Sequence, residues 1–140
     1  MIRPAVTKSA ATLALAAFLA GCAADQPYAM TERDATRLAE ALGDKVAGEP
    51  RDCLNVDQLR NPQVIDEKHI VFRQGRTTWL NQPRMRCPMI DRVGRVLVLE
   101  PTVGTQICEG DIAKVLDTST GTIMAACSFG EFVPYRSAMN

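Results

Sequence analysis

Residues 69–80, "HIVFRQGRTTWL", set two β-prone runs, His69–Arg73 and Thr77–Leu80, on either side of Gln74-Gly75. β-branched and aromatic side chains suit a pleated, half-buried surface, and a glycine in the gap supplies the backbone freedom of a tight reversal. The stretch predicts two short β runs separated by a turn signal. Its texture continues from Arg51 onward, in "CLNV" at 53–56, "QVI" at 63–65, "RVLVL" at 95–99, "IAKVLD" at 112–117, "TIMAACS" at 122–128 and "EFVP" at 131–134. Asn61-Pro62, Val93-Gly94, Pro101 with Gly104, and Ser119-Thr120-Gly121 punctuate these runs. Strands so regularly spaced predict a mainly β fold over residues 51–136, a small antiparallel barrel or sandwich, with 137–140 as a tail. "VLVL" lacks alternation, which predicts a strand covered on both faces. In "TIMAACS", Ile123, Ala125 and Cys127 share one face, which turns Cys127 toward the core.

One N-terminal helix is expected ahead of the strands. Thr31 is a capping residue, and Glu32 and Asp34 fall in the first turn, where the helix dipole favours acids. Ala35, Leu38, Ala39, Leu42 and Val46 recur at helical spacing, and Gly43 is placed to end the helix. The expected role of this alanine-heavy stripe is to dock on its own domain.

Upstream, Arg3 and Lys8 precede an apolar run from Ala10 to Ala20, and no acid occurs before Asp25. A basic segment, a short apolar segment and small residues form the layout of a secretory signal peptide. The run falls short of the ~20 apolar residues needed to span a bilayer. It closes on Leu19-Ala20-Gly21-Cys22, which resembles the lipobox of bacterial lipoproteins. The resemblance implies that residues 1–21 are removed, that Cys22 becomes the lipidated first residue, and that residues 22–50 form a tether and a short helix. Several acyl chains, at ~0.8 kcal/mol per buried CH₂, would hold such a protein firmly to a membrane. With Ala23 rather than aspartate after the cysteine, the resemblance favours the outer over the inner membrane. The expected location is the bacterial cell envelope, facing the periplasm.

The mature chain would carry fourteen basic and sixteen acidic groups, since Arg3 and Lys8 leave with the leader and the whole chain has 16 of each sign. A balance near −2 gives no global attraction to nucleic acid. With Cys22 assigned to lipid, Cys53, Cys87, Cys108 and Cys127 remain, an even number that in an exported chain reads as two disulfides. Of the three connectivities, the preferred one is nested, Cys87–Cys108 within Cys53–Cys127. Zinc usually draws its cysteines in close C-x₂₋₄-C pairs. No such pair exists here, so neither a metal nor another cofactor is expected.

Arg73, Arg76, Arg84, Arg86, Arg92 and Arg95 cluster around Trp79 with Asp91 as the single acid among them. The first four are the candidate anion-binding residues, because arginine forks match carboxylate and phosphate. Solvated strand edges are the plainer account of the same charges. Catalysis is poorly supplied. His69, the one histidine, begins an apolar run, where a structural role outweighs that of a base. Glu109-Gly110-Asp111 offers two carboxylates in a tight turn, the residues on which a small envelope hydrolase would have to rely.

"RDC" at 51–53, "HIVFR" at 69–73, "WLNQPRMRCPMI" at 79–90, "ICEGDIAKV" at 107–115 and "ACSFGEFVPY" at 126–135 resemble a family of small bacterial lipoproteins of unknown function, the DUF6491 family. The most specific pieces are Cys108 followed by Gly110-Asp111, and the Cys127-x-x-Gly130-x-Phe132 run. The resemblance implies a secreted, cysteine-containing β domain behind a lipobox and brings no activity or catalytic residue. The expected function is a non-enzymatic binding or protein-interaction module with an envelope partner. The rivals are the carboxylate hydrolase and a purely structural lipoprotein.

Overall fold

The computed structural model describes residues 27–138 apart from Val103. The leader and Cys22 lie outside the described residues. One α-helix, α1 (Glu32–Leu42), precedes ten strands: β1 (Lys45–Ala47), β2 (Cys53–Asn55), β3 (Gln63–Asp66), β4 (His69–Gln74), β5 (Thr77–Asn81), β6 (Arg95–Leu99), β7 (Gln106–Cys108), β8 (Ile112–Asp117), β9 (Ile123–Ser128) and β10 (Phe132–Ser137). A four-residue 3₁₀ turn, Val56–Leu59, follows β2.

The two runs within residues 69–80 are β4 and β5, and they pair as an antiparallel hairpin, with Phe72 opposite Trp79 and Gln74 opposite Thr77. Gly75 sits at φ +55°, the left-handed region that the reversal requires and that glycine enters without strain. The hairpin forms the middle of a five-stranded antiparallel sheet ordered β1-β10-β5-β4-β3. β2–β7 and β6-β8-β9 form two smaller antiparallel sheets. The edges β1 and β3 do not pair with each other. The barrel alternative is thereby corrected: the sheets stay open and pack through a shared core.

Because side chains alternate across a strand, the five-stranded sheet sorts its apolar residues onto two faces. Ile70, Phe72, Trp79 and Phe132 face one way and join Leu54 and Ile107 of β2–β7 and Ala113, Val115 and Cys127 of β8–β9 in the main core. Phe72, Phe129 and Phe132 pack as tilted rings 5.6–6.4 Å apart, a geometry that aromatic quadrupoles favour. Ile65, Val71 and Leu80 face the other way, under Leu38, Ala41 and Leu42 of α1. The molecule is layered as helix, large sheet, then small sheets.

Thr31 caps α1 as expected, accepting from Asp34 N at 3.1 Å, and Gly43 ends it at φ +59° with its N–H on Ala39 O. The apolar stripe needs correcting. Ala35 and Ala39 are exposed, Val46 belongs to β1, and the residue fully covered by the sheet is Ala41. Arg37 fixes the rotation of the helix, donating to the Val64 and Ile65 carbonyls at 2.8 Å.

The expectation for "VLVL" also fails. β6 is an edge strand, none of its residues is buried, and Val96 is 41% exposed. The strands covered on both faces are β4, whose Ile70, Val71 and Phe72 are all buried, and β5, whose Trp79 and Leu80 are buried on opposite faces. An unbroken apolar run tells of two-sided cover only where the sheet has a layer on each side, and helix α1 packs on β3, β4 and β5 of the large sheet through Ile65, Val71 and Leu80.

Candidate functional site

The four cysteines pair as Cys53–Cys108 and Cys87–Cys127, so the two loops cross and the nested arrangement is corrected. The reason lies in strand pairing. β7 is a three-residue strand that sequence texture does not mark, and its register sets Cys108 directly opposite Cys53. Cys127 does turn inward, and with Cys87 it is almost wholly buried.

The two family-like motifs meet in space. Gly110 N donates to Phe129 O at 2.9 Å, and Phe129 N donates to Asp111 O at 3.0 Å. The Asp111 carboxylate accepts from Cys108 N and from Thr102 Oγ1, both at 2.8 Å. It braces the turn. Gly130 closes the second motif: its O and N bond the buried Asn81 amide, and a Cβ on it would lie 2.2 Å from Gln82 O.

His69 is buried and fully engaged. Its Nδ1 lies 3.0 Å from Asp66 Oδ1 and its Nε2 2.9 Å from Gln82 Nε2. In the neutral ring Nδ1 donates to the carboxylate, and Nε2 accepts from the amide. Tyr28, ahead of α1, donates its hydroxyl to Asp66 Oδ2 at 2.5 Å and stands 3.2 Å from His69 Nδ1. Burial works against ionisation of Asp66. Hydrogen bonds from Tyr28, Lys68 N and His69 outweigh it and hold the carboxyl below the usual carboxylate range. Burial, followed by the bond to Asp66 and its charge, pushes the Tyr28 hydroxyl above its ordinary value. Beside the triad lies a hollow of about 750 Å³ lined by Tyr28, Glu67, Lys68, Met85 and Arg86, among others.

The four candidate anion-binding arginines do not form one face. Arg73 and Arg76 flank the β4–β5 turn, whereas Arg84 and Arg86 follow the far end of β5. Five strand positions separate the pairs, roughly 16 Å. Arg84 lies 3.7 Å from Glu109, Arg92 pairs with Asp91, and Arg95 with Asp117. Arg86 is half-buried at the hollow beside Tyr28.

What does gather is a different set. β1 and β10 end beside the β4–β5 turn, with Lys45 opposite Ser137 and Val46 opposite Arg136. Lys45, Arg76, Arg136 and Ser137 line a hollow of about 620 Å³. Lys45 and Arg73 line an adjoining one of about 470 Å³, into which Glu40 and Asp44 of the helix end also reach. Lys45 Nζ donates to Thr78 Oγ1 at 2.5 Å and Arg136 Nε to Thr77 Oγ1 at 3.2 Å. Among the described residues none of Lys45, Arg73, Arg76 and Arg136 makes an ion pair. Sequence inspection missed Lys45 and Arg136 because they lie 31 and 60 positions from Arg76, and only the pairing of β1 with β10 and β10 with β5 joins them.

The exposed carboxylates of Asp52, Glu109 and Glu131 also converge, within 4.8 Å of one another, through the β2–β7 pairing and the Arg51–Phe132 bridge. Arg84 approaches this group and offsets part of its charge. No described helix is long and apolar enough to cross a membrane. Comparison with family models, with curated proteins and with solved structures finds no match.

Proposed function

We propose that this is a lipid-anchored protein of the bacterial envelope, a non-enzymatic binding module whose contact surface is the basic end of the large sheet. The observation that carries the reading is the group Lys45, Arg73, Arg76 and Arg136, brought together from three strands and a turn and left without an acidic partner among the described residues. Cations in this state keep their charge for a ligand. Of the groups that the sequence offers for acid–base or hydrolytic work, His69 and Asp111 spend their polar atoms on internal hydrogen bonds, and Glu109 stands exposed 3.7 Å from Arg84. The anchor rests on the lipobox-like Leu19–Cys22, and the likeness to the DUF6491 lipoproteins rests on the motifs that Gly110, Phe129 and Gly130 knit together. Ala23 in place of aspartate after the lipobox-like cysteine supports outer-membrane over inner-membrane placement, and the exported, anchored chain would face the periplasm.

Cross-linking of the lipidated protein in intact cells tests this. The wild type is expected to yield an envelope adduct that disappears both with Cys22→Ser and with Arg76→Glu combined with Arg136→Glu. Retention of Cys22→Ser in the membrane fraction contradicts the anchor. Adducts unchanged by charge reversal remove the basic end as the contact surface.

A further inference from the structure

Resting on that reading, we infer that the basic end faces away from the anchoring bilayer and takes a multiply charged oxyanion, such as a chain of phosphate groups, from the aqueous phase. The observation is a polarity in the fold. Tyr28, the described residue nearest the anchor side that is pinned to the domain, docks on Asp66 and His69 at the β3–β4 turn. The basic residues sit at the β4–β5 turn, which is the other end of β4. Five steps of strand separate His69 from Gln74, about 17 Å. Helix α1 runs the same way, its 11 residues covering about 16 Å from Thr31 to the turn before Lys45.

Six residue steps separate Cys22 from Tyr28, a reach of at most about 20 Å. The chain enters at the Tyr28 pole, where Arg33 and Lys68 also stand without an ion pair among the described residues, and the four gathered cations lie at the other pole. The poles are about two Debye lengths apart at physiological salt, so headgroup charge at one pole is screened from the other. The ligand class follows from the groups present. Guanidinium forks hold oxyanions by paired N–H donors, and four cations call for an anion with more than one charge. Its seat is the Arg76–Arg136 side, where Lys45 and the Ser137 hydroxyl are at hand. The Arg73 side is less favourable, because Glu40, Asp44 and the carbonyl end of α1 oppose an anion there.

The test uses the lipidated full chain in vesicles of phosphatidylcholine, alone or mixed with phosphatidylglycerol, titrated with inorganic tripolyphosphate. Expected are binding that weakens as salt rises, roughly tenfold weaker binding for Arg76→Glu with the melting temperature unchanged, recovery with Arg76→Lys, and equal affinity in both vesicle types. If phosphatidylglycerol in the same bilayer abolishes binding, the basic end lies at its own membrane and the orientation is overturned. If tripolyphosphate does not bind to folded protein in either vesicle, the oxyanion class is overturned, whereas the cross-linking above reports separately on the module.

Discussion

The Tyr28 hydroxyl donates to the Asp66 carboxylate at 2.5 Å, joining residues 38 positions apart and fastening the segment ahead of α1 to the turn between β3 and β4. Three donors converge on that carboxylate, from Tyr28, Lys68 N and His69, and His69 is held in turn by Gln82. Tyr28→Phe keeps the ring and removes one donor. A net cost of about 1 kcal/mol is expected, because the phenol is partly solvated. It should show as a lower urea midpoint with an unchanged slope and as faster proteolysis ahead of Thr31. An unchanged midpoint would mean that the docking adds nothing to stability.

Acid should loosen the same joint. Asp66 has its carboxyl held below the ordinary value, so its contribution is fully present above the unfolded-state pKa near 3.9 and is lost as pH falls through the folded-state value. Stability is expected to be insensitive to Asp66 between about pH 5 and 8 and to decline below about pH 4. Asp66→Asn should lower stability at neutral pH and flatten part of that acid decline. Denaturant melts across pH for the two proteins read both effects.

Peptide mapping without reduction should recover Cys53–Cys108 and Cys87–Cys127 and no Cys87–Cys108 species. Graded reduction should open Cys53–Cys108 first. Its sulfurs belong to half-buried residues, whereas Cys87 and Cys127 are sealed in the core, and exchange requires access. Chain-entropy reasoning gives each crosslink about 4 kcal/mol, for separations of 55 and 40 residues. Replacing Cys87 and Cys127 by alanine is expected to cost at least as much as replacing Cys53 and Cys108, since it also thins the core.

Two glycines separate clash from conformation. Gly130→Ala drives a methyl into the Gln82 carbonyl and should cost about 2–3 kcal/mol or prevent folding. Gly75→Ala meets open space and bears only the left-handed backbone, a cost of about 1 kcal/mol. Parallel thermal melts give the order, and a tolerated Gly130→Ala would contradict the close approach.

Alternation, turn residues and a capping threonine were enough to place helix α1, strands β4 and β5 and the strands at 95–99, 112–117 and 123–128 within a residue or so of where they lie. Each is decided by contacts a few positions apart, which a linear sequence displays. The short strands β1 and β7 escaped notice because three residues carry almost no period; β2, equally short, is marked only as part of the longer run 53–56. Strands β1 and β7 exist because β10 and β2 offer them a ladder.

The site depended on those two strands. An even cysteine count called for two bridges, but β7 chose the partners by setting Cys108 beside Cys53. The arginine-rich run promised charge, but a strand is stiff and extended, so β5 carried Arg76 and Arg84 apart. β1 and β10 then supplied Lys45 and Arg136 from the two ends of the domain. By itself the sequence determined composition, local element and the faces that alternate, because those depend on neighbours along the chain. Tertiary structure alone decided which cysteines bond, which face of α1 is covered and which cations share a hollow, because those depend on the register of strands distant in sequence.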